Sequence, residues 1–214
     1  MTYKLAVFDL DGTLADTFPW FMRVLNDFAA SYRFKPVKPD EVDALRRLDS
    51  RGIIRHLGIP GWKLPWIARG MRRRMSRELE GIRLFPGVDL MLETVQARGV
   101  RLALVTSNSE ENARRILGAA NASRFDHLRC GVSIFGKRPQ IRKVLRQAGV
   151  EPGEALYIGD ELRDLEASRA EGLAFAAASW GYNEATILKT ARPDHFLESM
   201  EEIAGLFSPA GRRP

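Results

Sequence analysis

The chain of 214 residues contains a single cysteine, Cys130, so it cannot form a disulfide within itself. Disulfides persist in oxidising compartments, and a lone cysteine is typical of the reducing cytoplasm, where we expect this protein to function. Cys130 lies between Arg129 and Gly131 with no evident base nearby. We interpret it as a packed side chain rather than a catalytic nucleophile.

Long apolar runs are missing as well. No segment approaches the roughly twenty apolar residues that a membrane-spanning helix needs. The run at residues 5–8 is short and is followed by Asp9 and Asp11, so we expect no signal peptide. The sequence also has no recognised nucleic-acid motif and no basic stretch interleaved with aromatic residues. We therefore expect neither a membrane nor a nucleic acid as a partner.

Positive charge is concentrated in one part of the chain. The formal net charge is +6, and residues 15–85 contain 15 Lys plus Arg against 8 Asp plus Glu, net +7. The remaining residues contain 18 against 19, net −1. A basic segment of this kind can attract a small anionic substrate. We interpret the Arg72-Arg73-Arg74 run within it as the solvated face of a helix.

From residue 87 onward, short apolar runs alternate with helical patterns. The runs lie at 102–105, 125–128, 155–158 and 174–177, helical spacing covers 88–98, 110–118, 140–148 and 162–171, and a last strand and helix fall within 194–206. Such alternation predicts βαβ units and a parallel sheet covered on both faces. Together with the run at 5–8, it indicates an α/β fold with a Rossmann-like, doubly wound parallel sheet.

Between the first strand and residue 86 the apolar spacing is purely helical. One stripe consists of Phe21, Val24, Leu25 and Phe28, and another of Ile67, Met71, Met75 and Leu79. Stripes at this spacing are usually packing surfaces and predict a small helical bundle inserted after the first strand. We therefore predict a Rossmann-like core at 1–14 and 86–207, a helical cap domain at 15–85 and a flexible tail at 208–214.

The first strand leads directly into two aspartates, Asp9 and Asp11, which precede Gly12 and Thr13. Residues i and i+2 of a strand point to the same side, so both acids should face one pocket if strand geometry continues through Asp11. Two adjacent carboxylates stay ionised only if a cation lies between them or one keeps its proton. The pair therefore predicts a divalent-metal site or an acid beside a nucleophile, although capping of a helix near Thr17 is an alternative.

Reactive side chains also follow other strands of the predicted sheet. Ligands of parallel α/β sheets bind at the carboxyl ends of the strands, where we expect these groups to meet. Thr106, Ser107 and Asn108 follow one strand and offer donors to an anion at a helix N-terminus. Lys137 lies before a helix and can hold a phosphoryl oxygen. After another strand come Asp160, Glu161 and Asp164, of which Asp160 can bind Mg²⁺ together with Asp9.

These four groups, taken in order, resemble the motifs of the haloacid dehalogenase-like hydrolase superfamily, in its phosphoglycolate phosphatase-like branch. The motifs are Phe8-Asp9-Leu10-Asp11-Gly12-Thr13, Val105-Thr106-Ser107-Asn108, Lys137, and Gly159-Asp160-Glu161 with Asp164. The resemblance covers nearly the whole chain, and the insert at 15–85 is similar to the family's helical cap.

The resemblance implies a division of roles among these residues. Asp9 would be the nucleophile that forms an aspartyl-phosphate, and Asp11 would protonate the leaving alcohol and then activate water. Mg²⁺ would be held by Asp9, the backbone carbonyl of Asp11 and Asp160. The transferring phosphoryl group would be bound by Thr106 and Lys137. Because Glu161 follows Asp160 directly, the sequence leaves open which of Asp160, Glu161 and Asp164 touches the metal.

The function expected from this resemblance is hydrolysis of a small phosphorylated metabolite, either phosphoglycolate-like or a sugar phosphate. A phosphomutase of the same superfamily is an alternative, and a phospho-accepting signalling module is an alternative from a different class. Candidates for substrate specificity in the cap are Arg47, Asp49, Ser50 and Arg51 on one connection and Trp62 and Lys63 on another, with the cations Arg47, Arg51 and Lys63 foremost. The sequence leaves the oligomeric state open.

Overall fold

The computed structural model describes residues 3–207 and contains, within that range, one sheet of six parallel strands. The strands are β1 (Leu5–Phe8), β2 (Arg101–Val105), β3 (His127–Arg129), β4 (Ala155–Gly159), β5 (Ala174–Ala178) and β6 (His195–Leu197). Their order is β3-β2-β1-β4-β5-β6, which is the doubly wound order with its reversal between β1 and β4. The predicted fold class is confirmed, and the predicted tail at 208–214 lies outside the described residues.

Four helices lie between β1 and β2 in the region predicted to form the cap. They are α1 (Phe18–Tyr32), α2 (Val42–Arg46), α3 (Ser50–His56) and α4 (Leu64–Met75). Their inward faces build an apolar cluster of their own around Leu25, Phe34, Leu57 and Ile67. The chain enters and leaves this bundle side by side, because Ala15 forms an antiparallel bridge with Leu84. This bridge stands beside the predicted domain limits at 15 and 85.

Six further helices flank the sheet. They are α5 (Val88–Ala97), α6 (Glu110–Ala122), α7 (Lys137–Ala148), α8 (Leu162–Ala170), α9 (Ala185–Thr190) and α10 (Met200–Gly205). Two details differ from the sequence pattern. The third strand begins at His127 rather than near Phe125, whose ring instead packs edge-on against Phe8 at a centroid distance of 6.3 Å. The short helix α9 was not predicted, because six residues are too few to show a helical period.

The sheet is buried on both faces, which explains the unbroken apolar character of its central strands. In β1, all four side chains are fully buried, Ala6 and Phe8 toward one apolar cluster and Leu5 and Val7 toward the other. Phe8 lies in register with Leu104 of β2 and Ile158 of β4. The three strands therefore end at nearly the same level, and the residues that follow them meet at one edge. None of the described helices is long and apolar enough to cross a membrane.

Candidate active site

Lys137 joins two of the predicted acids at the carboxyl edge of the sheet. Its ammonium group lies 2.7 Å from Asp9 Oδ2 and 2.6 Å from Asp164 Oδ1, and all three side chains are buried. The Tyr157 ring lies on another side of the ammonium, 5.8 Å away at its centroid. Burial by itself would lower the pKa of Lys137, but Asp164 and Asp9 raise it well above its usual value. The lysine is therefore a fixed positive charge.

Asp160 sits in a cradle formed by two glycines. Its Oδ1 accepts a hydrogen bond from the Thr13 hydroxyl at 2.6 Å, and its Oδ2 accepts one from the Tyr182 amide at 2.7 Å. A Cβ atom added at Gly12 or at Gly181 would lie only 2.2 Å from Asp160 Oδ2. Both positions are therefore restricted to glycine by the approach of this carboxylate. Gly12 also has a φ of +81°, which glycine adopts readily.

The strand does not continue through Asp11, contrary to the geometry assumed from the sequence. β1 ends at Phe8, and the Leu10 carbonyl then accepts the amides of Thr13, Leu14 and Ala15, which forms a tight turn. This turn, rather than the alternation of a strand, brings Asp11 to the same edge as Asp9. The helix-capping alternative is not observed, because Thr17 occupies the N-cap of α1.

Asp11 is half-buried and faces the residues that follow β2. It accepts hydrogen bonds from the Thr106 hydroxyl at 3.3 Å and from the side-chain amide of Asn108 at 3.2 Å. Burial and the neighbouring Asp9 raise the pKa of Asp11 to about 6. A carboxyl group with this pKa can hold a proton or release it near neutral pH, as a general acid and base must.

The predicted anion-binding residues precede helix α6. The buried Thr106 hydroxyl accepts a hydrogen bond from the backbone amide of Asn108 at 3.0 Å. The Ser109 hydroxyl caps the helix by accepting one from the backbone amide of Asn112. The Ser107 carbonyl accepts a hydrogen bond from Arg72 at 3.2 Å. The structure thus brings Thr106 and Asn108 into contact with Asp11, and Lys137 into contact with Asp9, while Ser107 lines the cavity beside them.

The carboxylates of Asp9, Asp160 and Asp164 suit a divalent metal ion. Each offers an oxygen, and the three oxygens lie within 4.8 Å of one another in a buried setting. When all three carboxylates are ionised, the one ammonium group leaves two negative charges for a cation to neutralise. Asp164 Oδ2 is buried without a hydrogen-bond partner among the described residues. Burial and the neighbouring acids raise the pKa of Asp160, as expected for a carboxylate in need of a cation. Hard oxygen donors of this kind match Mg²⁺.

Glu161 points toward the cap rather than into this cluster. It pairs with Arg163 and accepts a hydrogen bond from the Ser50 hydroxyl at 3.4 Å. Of the three predicted acids after β4, Asp160 and Asp164 therefore belong to the carboxylate cluster that suits a metal ion. Glu161 instead lines a cavity between the cap and the core.

The three cap cations predicted to set specificity lie outside the cavity between cap and core, whereas Ser50, another predicted candidate, lines it. Arg47 is exposed and pairs with Glu184, and the Arg51 guanidinium lies over the Phe135 ring at 5.5 Å. Lys63 donates to the Tyr32 carbonyl at 2.7 Å. None of the three lines the cavity between cap and core in the described residues.

Other residues, absent from the sequence prediction, connect cap and core. Arg46 donates to the carbonyls of Gly181 and Tyr182 at 2.8 and 3.0 Å, and its guanidinium lies 4.9 Å from the Phe18 ring centroid. Asn183 returns hydrogen bonds to the Arg46 and Leu48 carbonyls at 2.8 and 3.0 Å. The loop at 179–184 follows β5, so the rule that ligand sites lie at strand ends could have indicated it.

Two single-residue interpretations also have an outcome. Arg73 and Arg74 are exposed as expected, but Arg72 is half-buried and reaches the Ser107 carbonyl, so the run is not uniformly solvated. Burial raises the pKa of the Cys130 thiol to about 11, which makes the reactive thiolate scarce.

A cavity of about 270 Å³ is lined by residues of the cap and by core residues that include Asp11. At its core side lie Asp11, Ser107, Asn108, Glu161 and Arg163. On the cap side most of the lining is apolar and comes from all four cap helices. A cavity with acids and anion-binding groups at one end is typical of a substrate site.

Comparisons with known proteins agree with this geometry. Residues 6–178 match the family model described as haloacid dehalogenase-like hydrolase. The phosphoglycolate phosphatase of Synechococcus elongatus is 32% identical over 92% of this chain and 93% of its own length. That of Aquifex aeolicus is 27% identical over 95% and 96%.

Solved structures share the fold. A crystal structure from Lactobacillus plantarum superposes with a TM-score of 0.82 at 24% identity, covering 97% of this chain and all of the other. A haloacid dehalogenase-like family hydrolase from Streptococcus pneumoniae gives 0.69 at 21% identity, covering 96% and 99%. The family resemblance read from the motifs is confirmed: the chain belongs to the haloacid dehalogenase-like hydrolases and is a phosphoric monoester hydrolase.

Proposed function

We propose that this protein is a Mg²⁺-dependent phosphatase that hydrolyses a small phosphorylated metabolite through an aspartyl-phosphate on Asp9. The observation that carries the proposal is the buried contact of Asp9 with Lys137, 2.7 Å apart, beside Asp160 and Asp11. The names of the relatives make phosphoglycolate the first substrate to assay. The lone cysteine supports a cytoplasmic location.

The metal would be held by Asp9 and Asp160 together with the Asp11 backbone carbonyl, and Asp164 lies close enough to contribute a further oxygen. When bound, Mg²⁺ would neutralise negative charge on the carboxylates and on the phosphoryl oxygens. Lys137 adds a second positive charge, and Thr106 and Asn108 add hydrogen-bond donors. Phosphoryl transfer depends mainly on such positioning and charge neutralisation.

In the first chemical step, an Asp9 carboxylate oxygen attacks phosphorus and the bond from phosphorus to the ester oxygen breaks. The departing alkoxide takes the proton held by Asp11, so the alcohol leaves neutral. In the second step, ionised Asp11 removes a proton from water, and the resulting hydroxide attacks the aspartyl-phosphate. The bond from phosphorus to Asp9 breaks, which releases inorganic phosphate and restores both carboxyl groups. A pKa of about 6 for Asp11 suits both transfers.

The nucleophile is tested by Asp9→Asn, measured as phosphate release from 2-phosphoglycolate with Mg²⁺. We expect a loss of about 10⁴-fold or more, because the attacking group is removed. Asp16→Asn is the matched control, since Asp16 is exposed and only seven positions away. Activity of the Asp9 variant within tenfold of wild type would overturn the assignment.

The same preparation separates the phosphatase from its two rivals. A phosphomutase would interconvert sugar-phosphate isomers instead of accumulating inorganic phosphate. A signalling module would keep its aspartyl-phosphate for minutes, whereas a phosphatase with an acid at Asp11 hydrolyses it during turnover. Either of those results would replace the proposal.

A further inference from the structure

The lining of the cavity carries information about the organic part of the substrate. The polar groups of the core side, including Asp11 and Asn108, occupy the end where the phosphate would lie. From there the cavity extends into the cap's own apolar cluster and is lined by its members Leu25, Phe34, Leu57 and Ile67, and by Ile59, which packs against them. The space therefore continues beyond the phosphate end into an apolar compartment.

The polar side chains that the cap contributes to this lining are Arg46, Ser50 and Arg72. Each one is hydrogen-bonded to the core: Arg46 to the Gly181 and Tyr182 carbonyls, Ser50 to Glu161, and Arg72 to the Ser107 carbonyl. They hold the cap over the core at the phosphate end. Among residues 3–207, the deeper lining offers neither a ring of donors and acceptors for sugar hydroxyls nor a cation for a second carboxylate.

Several apolar side chains of the lining are only partly buried, so part of their surface stays accessible. Examples are Ile53 and Ile54 on α3, Ala68 and Met71 on α4, and Ile134 of the core. An engineered apolar cavity of about 150 Å³ holds benzene. The present cavity of about 270 Å³ can therefore accept a larger apolar group.

We infer that the substrate is a phosphate monoester whose organic part is apolar, an alkyl or aryl group larger than glycolate, with this group inserted among the cap side chains. This inference rests on the proposed phosphatase activity and specifies its substrate class. The phosphate lies against Asp9, Lys137 and Thr106, and the apolar group lies between α1, α3 and α4. Burial of that group supplies the binding energy that the small phosphate end cannot.

A series of n-alkyl phosphates from ethyl to octyl tests the inference, because the leaving alcohols have nearly the same acidity and differ in apolar area. We expect kcat/KM to rise by up to about fourfold for each methylene until the cavity is filled. Hexyl phosphate and glucose 6-phosphate form a matched pair with six carbons each. We expect hexyl phosphate to be preferred by at least about tenfold.

A cap variant locates the effect. Ala68→Phe places a ring in the cavity and should abolish the gain in kcat/KM with chain length. Ala30→Phe is the control, because Ala30 is exposed on α1 and outside the lining. The wild-type series decides the question by itself if Ala68→Phe does not fold.

The outcomes separate the two levels of the proposal. A flat or falling chain-length series, or a preference for glucose 6-phosphate, in an enzyme that hydrolyses ethyl phosphate or phosphoglycolate would overturn the apolar substrate and leave the phosphatase intact. If none of the esters tested releases phosphate, the proposed function itself is overturned. A rising series that Ala68→Phe flattens supports both.

Discussion

Replacing Lys137 by methionine should destabilise the protein, because the ammonium group is the common partner of two buried carboxylates. Its contacts with Asp9 and Asp164 measure 2.7 and 2.6 Å, and the lysine side chain is 3% exposed. Methionine preserves most of the volume and removes the charge. Breaking a buried ion pair by removing one partner costs about 3–5 kcal/mol. For a chain of this size, that corresponds to a fall in Tm of about 6–20 °C.

The assay is thermal unfolding followed by circular dichroism at pH 8 with EDTA present, so that no cation substitutes for the lysine. Lys143→Met is the matched control on the same helix, because Lys143 is exposed. We expect its free energy of unfolding to stay within about 0.5 kcal/mol of wild type. The comparison isolates the buried contact from the loss of a positive charge.

The pH dependence of the loss gives a second readout. Burial raises the pKa of Asp164 above its usual value even with Lys137 present, and removal of the ammonium raises it further. A carboxyl group whose pKa is raised on folding binds its proton more tightly in the folded state, so its ionisation opposes folding as pH rises. The deficit of Lys137→Met should therefore be smaller at pH 5 than at pH 8. A deficit below 1 kcal/mol, or one equal at both pH values, would refute the reasoning.

Three further predictions concern the metal, the acid and the cap. Gly181→Ala should weaken Mg²⁺ binding by about 10- to 100-fold in calorimetry, because its Cβ would lie 2.2 Å from Asp160 Oδ2. Gly61→Ala, with open space around it, should leave the affinity unchanged, and equal affinities of the two variants would contradict the role of the glycine cradle. For ethyl phosphate, kcat/KM should fall as pH rises through about 6, because Asp11 loses its proton there. Asp11→Asn should remove this pH dependence and lower the rate about 10²- to 10⁴-fold. An unchanged pH dependence in the variant would assign it to another group. Arg46→Met should loosen the contact between cap and core, which would be seen as faster proteolysis within residues 15–85 and a lower kcat/KM. Arg55→Met, at an exposed position, should change neither, and identical digestion patterns of the two variants would show that Arg46 does not hold the cap to the core.

The sequence by itself determined the sheet and the acids that end its strands. Apolar runs such as 155–158 predict buried parallel strands because both faces of the sheet must be covered, and this requirement is local to each run. Asp9, Thr106 and Asp160 each follow such a run, so the common edge of the strands is enough to bring them together. Asp9 and Asp11 lie at one edge of the sheet as predicted, although Asp11 reaches that edge through a turn at Leu10 and not through a continued strand.

The tertiary structure alone decided which cap residues meet the core and what the cavity is made of. Arg46 lines the cavity and donates to the Gly181 and Tyr182 carbonyls, whereas its exposed neighbour Arg47 pairs with Glu184 outside the cavity, because one step along a helix turns a side chain by about 100°. Likewise Arg72 turns inward while Arg73 and Arg74 remain in solvent. All three residues are arginines, so only the packing of α4 against the core distinguishes them. The apolar compartment has the same origin: Leu57 and Ile67 read as ordinary core residues in sequence, and only the spacing of the four cap helices leaves a space between them.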